Sequence, residues 1–364
     1  MTLRSQKTKP PPGRQVEGTR TAKLHYIQDH APGFTRQRYR GKFKYLDHEG
    51  QCIVCEQHLA RIHALRIPPA WQSVWICAHP HGHLQATGRD AKGRKQYLYH
   101  AEWRKQREAR KYEHMVAFGL QLPTIRQQVA RDLKATGLGK QKVLAMMIRL
   151  LENTLIRIVN DEYARTNQSF GLTTLRNRHV AIEDNDVEFH FRGKSGVEHR
   201  VRLHDRRLAR MLRHLRELPG QALFQYVDEQ GVRHAIGSAE VNDYLRQITG
   251  DDYTAKDFRT WFGSLHVLQA LSDCPPFCNE AEAKKQVVVA IRQAASRLGN
   301  TPAICRQSYV HPWIIERYLA GGLQPTLAQD EEAQKEDKQE KNTVDEKHGL
   351  SIVERNMLDL LQHR

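Results

Sequence analysis

One stretch limits the folds open to this chain more than any other. Val187, Phe189 and Phe191 alternate with polar residues, Gly193, Lys194, Ser195 and Gly196 follow, and Val197, His199, Val201 and Leu203 alternate again. Period-two alternation on both sides of a glycine-containing turn is the pattern of a β-hairpin with one covered face. It puts Lys194 at the hairpin tip. On either side the period changes to that of amphipathic helices, which the spacing predicts over 124–133, 140–159, 204–218, 238–248, 255–271 and 279–298. Short β segments are expected over 172–175 and 179–182. The hairpin is therefore a small sheet inside a mostly helical domain. In the helix over 140–159, Val143, Met146, Met147, Leu150 and Leu151 form one face. Arg149, Asn153 and Arg157 share another, which places Arg157 near the helix end. Asn279 and Glu282 have the spacing of a capping box.

Upstream the texture differs. Short segments over 74–77, 84–87 and 96–99 are broken by Gly and Pro, which predicts a small sheet-containing domain. A charged, helix-favouring connector over 102–112 joins it to the helical part. At 364 residues two domains are expected, because single cores stop growing near roughly 250–300 residues. The fold class is α+β, divided into a flexible basic arm (1–32), a β-rich domain (33–108), a helical domain (109–325) and an acidic linker with a short helix (326–364). Ile352, Val353, Leu358 and Leu361 form the apolar face of that last helix.

Charge narrows the partner. Lys and Arg total 57 against 41 Asp and Glu, a formal +16, and 39% hydrophobic residues make the chain globular all the same. The segment 326–364 holds ten acidic and six basic residues, so residues 1–325 carry +20. An excess of that size attracts a polyanion, and nucleic acid is the commonest. The acidic tail either competes with phosphate or tethers its helix for a partner. No apolar run approaches the ~18 residues of a membrane span, and the opening MTLRSQKTKPPPGR lacks a signal peptide's apolar core. Six irregularly spaced cysteines form no disulfide framework. A cytoplasmic protein, neither secreted nor in a membrane, is expected.

Cys52, Cys55 and His58 have ligand-like spacing, but a single CxxC without a second pair is weak, and no metal site is expected there. His79, His81 and His83 read as turn-capping residues. Trp261 and Trp313 read as packing residues, and Cys274 and Cys278 as loop residues.

Four segments together carry a resemblance. LIRIVNDEYARTNQSFGLTTLRNRHV (155–180), FHFRGKSGVEH, TAKDFRTWFGSLH and LGNTPAICRQSYVHP resemble the catalytic boxes of type IB DNA topoisomerases of the poxvirus and bacterial branch. RIPPAW (66–71) and ATGRDAKGRKQYLYH (86–100) resemble that branch's N-terminal DNA clamp domain. The likeness runs in order over about residues 33–325. It implies a two-domain clamp closing around duplex DNA, with 33–108 as the DNA-binding domain and 109–325 as the catalytic one. It further implies relaxation of positive and negative supercoils through a 3′-phosphotyrosyl intermediate, by an enzyme that needs neither ATP nor a cofactor and acts as a monomer.

Carried over residue by residue, the nucleophile falls on Tyr309, the two catalytic arginines on Arg157 and Arg259, and the lysine on Lys194. The chemistry suits those residue types. Guanidiniums bind the nonbridging oxygens of a phosphoryl transition state in a planar fork. A phenol, with a pKa of about 10, leaves more readily on resealing than an aliphatic alcohol does. An ammonium can protonate the departing 5′ oxygen. With three cations present, a divalent metal is not chemically required. Nine residues before the tyrosine, the poxvirus pattern has a histidine where this chain has Asn300; the amide can donate the same hydrogen bond without the charge. Gln96, Tyr97 and Tyr99, beside Lys92, Arg94 and Lys95, match the family's DNA contacts in the N-terminal domain, and Tyr163 matches another. Two rival readings are a tyrosine recombinase, whose second box normally reads HxxR where this chain has Lys256 to Arg259, and a non-catalytic architectural DNA-binding protein.

Overall fold

A computed structural model describes residues 24–323 and 349–363. Most of the expected basic arm and the linker over 326–348 lie outside the described residues. The chain divides into two compact units, Met1–Lys111 and Tyr112–Arg364.

The first unit is built on a five-stranded antiparallel sheet in the order β2-β1-β3-β4-β5. Its strands are β1 (Gly33–Tyr39), β2 (Lys42–Leu46), β3 (Gln72–Cys77), β4 (Leu84–Arg89) and β5 (Lys95–Tyr99). The last three are the expected segments, each slightly longer. β1 and β2 were not expected: Arg and Lys fill much of both strands, so apolar alternation is weak. They join through Arg40 and Gly41, both at positive φ, in a two-residue turn whose twist matches the strands. Helix α1 (Glu56–Ala64) seats Ile62 among Phe34, Ile67, Val74, Ile76 and Ala86, and this is the unit's core. His79 caps a turn as expected, its Nδ1 accepting from His81 N (3.1 Å), but His83 Nδ1 accepts from Ile27 N (3.0 Å), 56 positions away, and so ties the segment before β1 to this sheet instead of capping a turn.

The division between units falls inside α2 (Ala101–Asp132), where the helical reading needs its first correction. The expected connector and the helix expected from 124 are one 32-residue helix running through Pro123. An interior proline costs roughly 3 kcal/mol. Burial of Tyr112, Met115, Phe118, Leu122, Ile125 and Val129 at helical spacing offsets it. The second correction is α3 (Lys140–Thr154), which stops five residues early. Leu155 turns left-handed at φ 54°, its N–H bonded to Leu151 O at 2.9 Å. Arg157 is therefore beyond the helix rather than on its last turn. The short helix α4 (Asp161–Asn167) follows, with Asn160 capping Tyr163 N at 2.9 Å.

The strand expected over 172–175 is corrected to a 3-10 turn, Leu172–Thr174, and a second such turn, Asn177–His179, leads into the strand expected over 179–182, which is present one residue later. Pairing begins at β6 (Val180–Glu183) and continues through the hairpin β7 (Asp186–Arg192) and β8 (Glu198–His204). Val187, Phe189 and Phe191 are buried, as their alternation requires. Next come α5 (Arg206–Glu217), the two-stranded β9 (Gln225–Val227) and β10 (Arg233–Ala235), α6 (Ser238–Thr249), α7 (Ala255–Ser272) and α8 (Glu280–Leu298). Asn279 caps α8 through Glu282 N, but the Glu282 carboxylate accepts from Cys278 N, so the box is only half formed. Two short proline-started helices, α9 (Pro302–Tyr309) and α10 (Pro312–Leu319), were not expected. The last helix is α11 (Ile352–Gln362), and its apolar face is not held out for a partner. Met357, Leu358 and Leu361 are buried in this unit's own core. Arg126 fixes the helix by donating to both Glu354 oxygens (2.7 and 3.0 Å) and to Gly349 O (2.8 Å).

Candidate active site

Tyr309 is the last residue of α9, and its backbone is held from α7. Ser264, fully buried, donates its hydroxyl to Tyr309 O at 3.1 Å and accepts from His311 N at 3.0 Å. Tyr112 on α2 donates to Val310 O at 3.0 Å. The half-buried phenol is thereby placed by two neighbouring helices. Arg259, five residues before Ser264, sets its guanidinium carbon 5.2 Å from the centre of the Tyr309 ring.

Arg259 is 4% exposed and donates to Leu155 O and to Leu298 O, the latter at 2.7 Å, while its Nε is buried without a partner. Burial and the charge of Arg157 lower its pKa to about 10, so it stays cationic at neutral pH. Arg157 leaves the left-handed cap of α3, and its carbonyl accepts from Leu172 N at 2.8 Å. Its guanidinium reaches the turn after α8, where it donates to Gly299 O (3.2 Å) and to the Asn300 side-chain oxygen. Arginine is donor only, so this bond orients the Asn300 amide. The Asn300 NH₂ is left buried with no partner.

Lys194 lies in the turn between β7 and β8, exposed. A cleft of about 940 Å³ is lined by Arg157, Lys194, His199, Asn300 and Tyr309, among others. A smaller adjoining hollow brings Arg259 to Arg157, Lys194 and His199. All five expected catalytic residues thus gather in one place. Burial works against ionising the Tyr309 phenol, but the charge and hydrogen bond of Arg259 and the charges of Arg157 and Lys256 outweigh it, and its pKa is lowered. The cleft offers a nucleophile biased toward its anion, two guanidiniums and two unpartnered buried N–H groups, so an anion with several acceptor oxygens would complete it.

Sequence reasoning missed two residues here. Ser264 gives no local sign of its role, being one of several small residues on α7. His199 was read only as an inward-facing member of the return strand. Tyr163, on α4, is not among the residues lining the cleft. In the first unit, Tyr97 and Tyr99 stack on one exposed face of β5 with centroids 6.1 Å apart. Gln96 points to the other face and donates to Asp90 at 2.9 Å. Arg94 pairs with Asp90 and Lys95 with Asp29, each at 2.6 Å.

The chain was compared with known proteins. A family model described as eukaryotic DNA topoisomerase I, catalytic core, matches residues 100–339, and one described as bacterial DNA topoisomerase IB, N-terminal domain, matches residues 42–90. DNA topoisomerase 1B of Acanthamoeba polyphaga mimivirus is 31% identical over 305 residues, covering 81% of this chain and 90% of the relative. DNA topoisomerase 1B of Vaccinia virus (strain Copenhagen) is 26% identical over 233 residues, covering 63% and 71%. Among solved structures, the XerH site-specific recombinase in a post-cleavage complex with a palindromic difH substrate aligns at 15% identity over 52% of this chain and 47% of that one. Its TM-score is 0.33, too low to support an argument.

Proposed function

The chain belongs to the type IB DNA topoisomerases, and from that membership we propose how its own residues relax supercoiled DNA. The reaction is transient cleavage of one strand through a 3′-phosphotyrosyl intermediate, and the recombinase and architectural readings give way to it. In the proposed assignment the Tyr309 oxygen attacks the scissile phosphorus and releases its proton to solvent. The bond from phosphorus to the 5′ oxygen breaks, and Lys194 delivers a proton to that oxygen. Arg157, Arg259 and the Asn300 amide bind the nonbridging oxygens, where charge accumulates. The cut strand swivels about the intact one, so supercoils of either sign relax. The 5′ hydroxyl then attacks the phosphotyrosine, returns a proton to Lys194 and expels Tyr309. The phosphotyrosyl bond keeps the energy of the bond it replaced, so no ATP is consumed.

The observation that carries this reading is the pair of buried, unpartnered donors, Arg259 Nε and Asn300 NH₂, beside the Tyr309 phenol. Action as a monomer is part of the proposal. A clamp in which both units hold one duplex, with Lys92, Gln96, Tyr97 and Tyr99 of the first unit and Tyr163 of the second meeting DNA, belongs to the same proposal, as does work at the nucleoid. Among the described residues no helix is long and apolar enough to cross a membrane. The test is plasmid relaxation in excess EDTA without ATP. The wild type should relax both signs of supercoil and form a covalent DNA adduct, and Tyr309→Phe should do neither. Relaxation by Tyr309→Phe, or an absolute metal requirement in the wild type, would refute the assignment.

A further inference from the structure

Lys194 is exposed at the end of a hairpin turn, yet a proton donor must sit at a defined distance from the phosphate that Arg157 and Asn300 hold. Something has to register the hairpin against the turn that follows α8. His199 is placed to do it. Its ring lies parallel to Phe191 across the hairpin, with centroids 5.1 Å apart and 7° between planes. One edge meets Gly193, the residue before Lys194, so closely that a Cβ there would lie 2.4 Å from the ring. Another meets Gly299, the residue before Asn300, where a Cβ would lie 2.0 Å away. Both glycines are therefore required by the ring, and Gly299 also by its left-handed φ of 58° as the cap of α8. Neither ring nitrogen has a hydrogen-bond partner among the described residues, so packing rather than hydrogen bonding holds the imidazole. Burial, together with the charges of Arg157 and Arg259, lowers its pKa and keeps the ring neutral beside the two cations.

We propose that His199 is a positioning residue whose flat ring, wedged between Gly193 and Gly299, sets the distance from the Lys194 turn to the Arg157 and Asn300 pair. The proposal rests on Lys194 being the proton donor to the 5′ oxygen. Ring bulk is what matters, so a flat apolar ring should substitute and a short polar chain should not.

The experiment compares His199→Ala, His199→Asn and His199→Phe in the full chain by single-turnover cleavage of a duplex. Ala and Asn should slow cleavage about 10- to 100-fold, and Phe should bring it back to within about threefold of wild type. On a duplex with sulfur at the bridging 5′ position, a leaving group that needs no proton, His199→Ala should recover as Lys194→Ala does. Equal loss in Phe and Ala, or no recovery by His199→Ala where Lys194→Ala recovers, overturns the proposal. If Lys194→Ala itself fails to recover, the proton-donor assignment falls instead. Hydrogen exchange then decides on His199: His199→Ala should speed exchange of the Gly193 and Gly196 amides and His199→Phe should not. Unchanged exchange in His199→Ala also overturns the proposal.

Discussion

Two clusters of basic residues, one in each unit, differ in what they are bonded to. On the β4–β5 hairpin, Arg94 and Lys95 are paired with Asp90 and Asp29, and Gln96 shares Asp90. In the cleft, Arg157 and Arg259 donate to carbonyls, to the Asn300 amide oxygen and to the Tyr309 phenol, and to no carboxylate among the described residues. A carboxylate cancels a cation's charge, whereas a carbonyl orients the cation and leaves its charge for a ligand. The cleft thus keeps net positive charge at low exposure, where it acts most strongly on a phosphate. On the hairpin, Arg94 and Lys95 are ordered but largely neutralised, while Arg89 donates to Gly93 O at 2.8 Å. A third arrangement, Arg126 between Glu152 and Glu354, shows that the second unit also buries fully paired arginine where its task is to hold a helix.

Three experiments can break this contrast. The largest effect is expected at Arg259. Arg259→Ala should lower single-turnover cleavage about 10²- to 10³-fold, the usual loss for a transition-state donor. It should also raise the Tyr309 pKa, because the variant removes a charge that lowers it, so the rising limb of the rate against pH should move to higher pH. A loss below about tenfold with an unmoved limb would mean that the unpaired charge is not aimed at the reaction. Next comes Glu354→Gln, which should lower the melting temperature by about 5–10 °C at pH 7. Burial opposes the Glu354 charge, but Arg126 and Ser351 outweigh it and its pKa is lowered in the fold. Its stabilisation is therefore present above the usual carboxylate value of 4.5 and lost as pH falls below it, and the gap between variant and wild type should close there. A gap that does not narrow as pH falls below 4.5 would contradict the ion-pair account of α11.

The smallest effect is expected at Asp90. The Arg94 pair, with backbone bonds from Arg94 and Lys92, outweighs desolvation, which acts the other way, and brings the Asp90 pKa to about 2, so it is ionised and neutralising at any working pH. Asp90→Asn should free Arg94, strengthen duplex binding a few-fold and steepen its salt dependence by about one phosphate contact, with cleavage by the bound enzyme unchanged. An unchanged salt slope would mean that the pairing does not restrain Arg94.

Local pattern made a good part of the molecule readable. The hairpin with Lys194 at its tip, the strands near 74–77, 84–87 and 96–99, and the helices over 238–248, 255–271 and 279–298 all appear, because alternation and helical periodicity report which face of a segment is covered. What escaped reading lacked such a signal. β1 and β2 are masked by basic residues, α9 and α10 are too short for a clear period, and Pro123, just before the helix expected from 124, is carried inside α2 by burial that a window of sequence does not register. The end of α3 depended on one left-handed residue, Leu155.

The sequence by itself determined that this chain is a basic, two-part α+β protein with an ordered set of motifs on which Tyr309, Arg157, Lys194, Arg259 and Asn300 could be named. Tertiary structure alone decided what those residues are bonded to. Arg157 meets Asn300 across 143 positions of chain, and Arg259 meets Leu155 across 104. Ser264 holds the Tyr309 backbone, and His199 lies between two glycines from different elements. Whether a cation is cancelled by a carboxylate or only oriented by a carbonyl depends on which distant groups folding brings together. Residue identity sets the charge, and the fold sets how much of it remains for DNA.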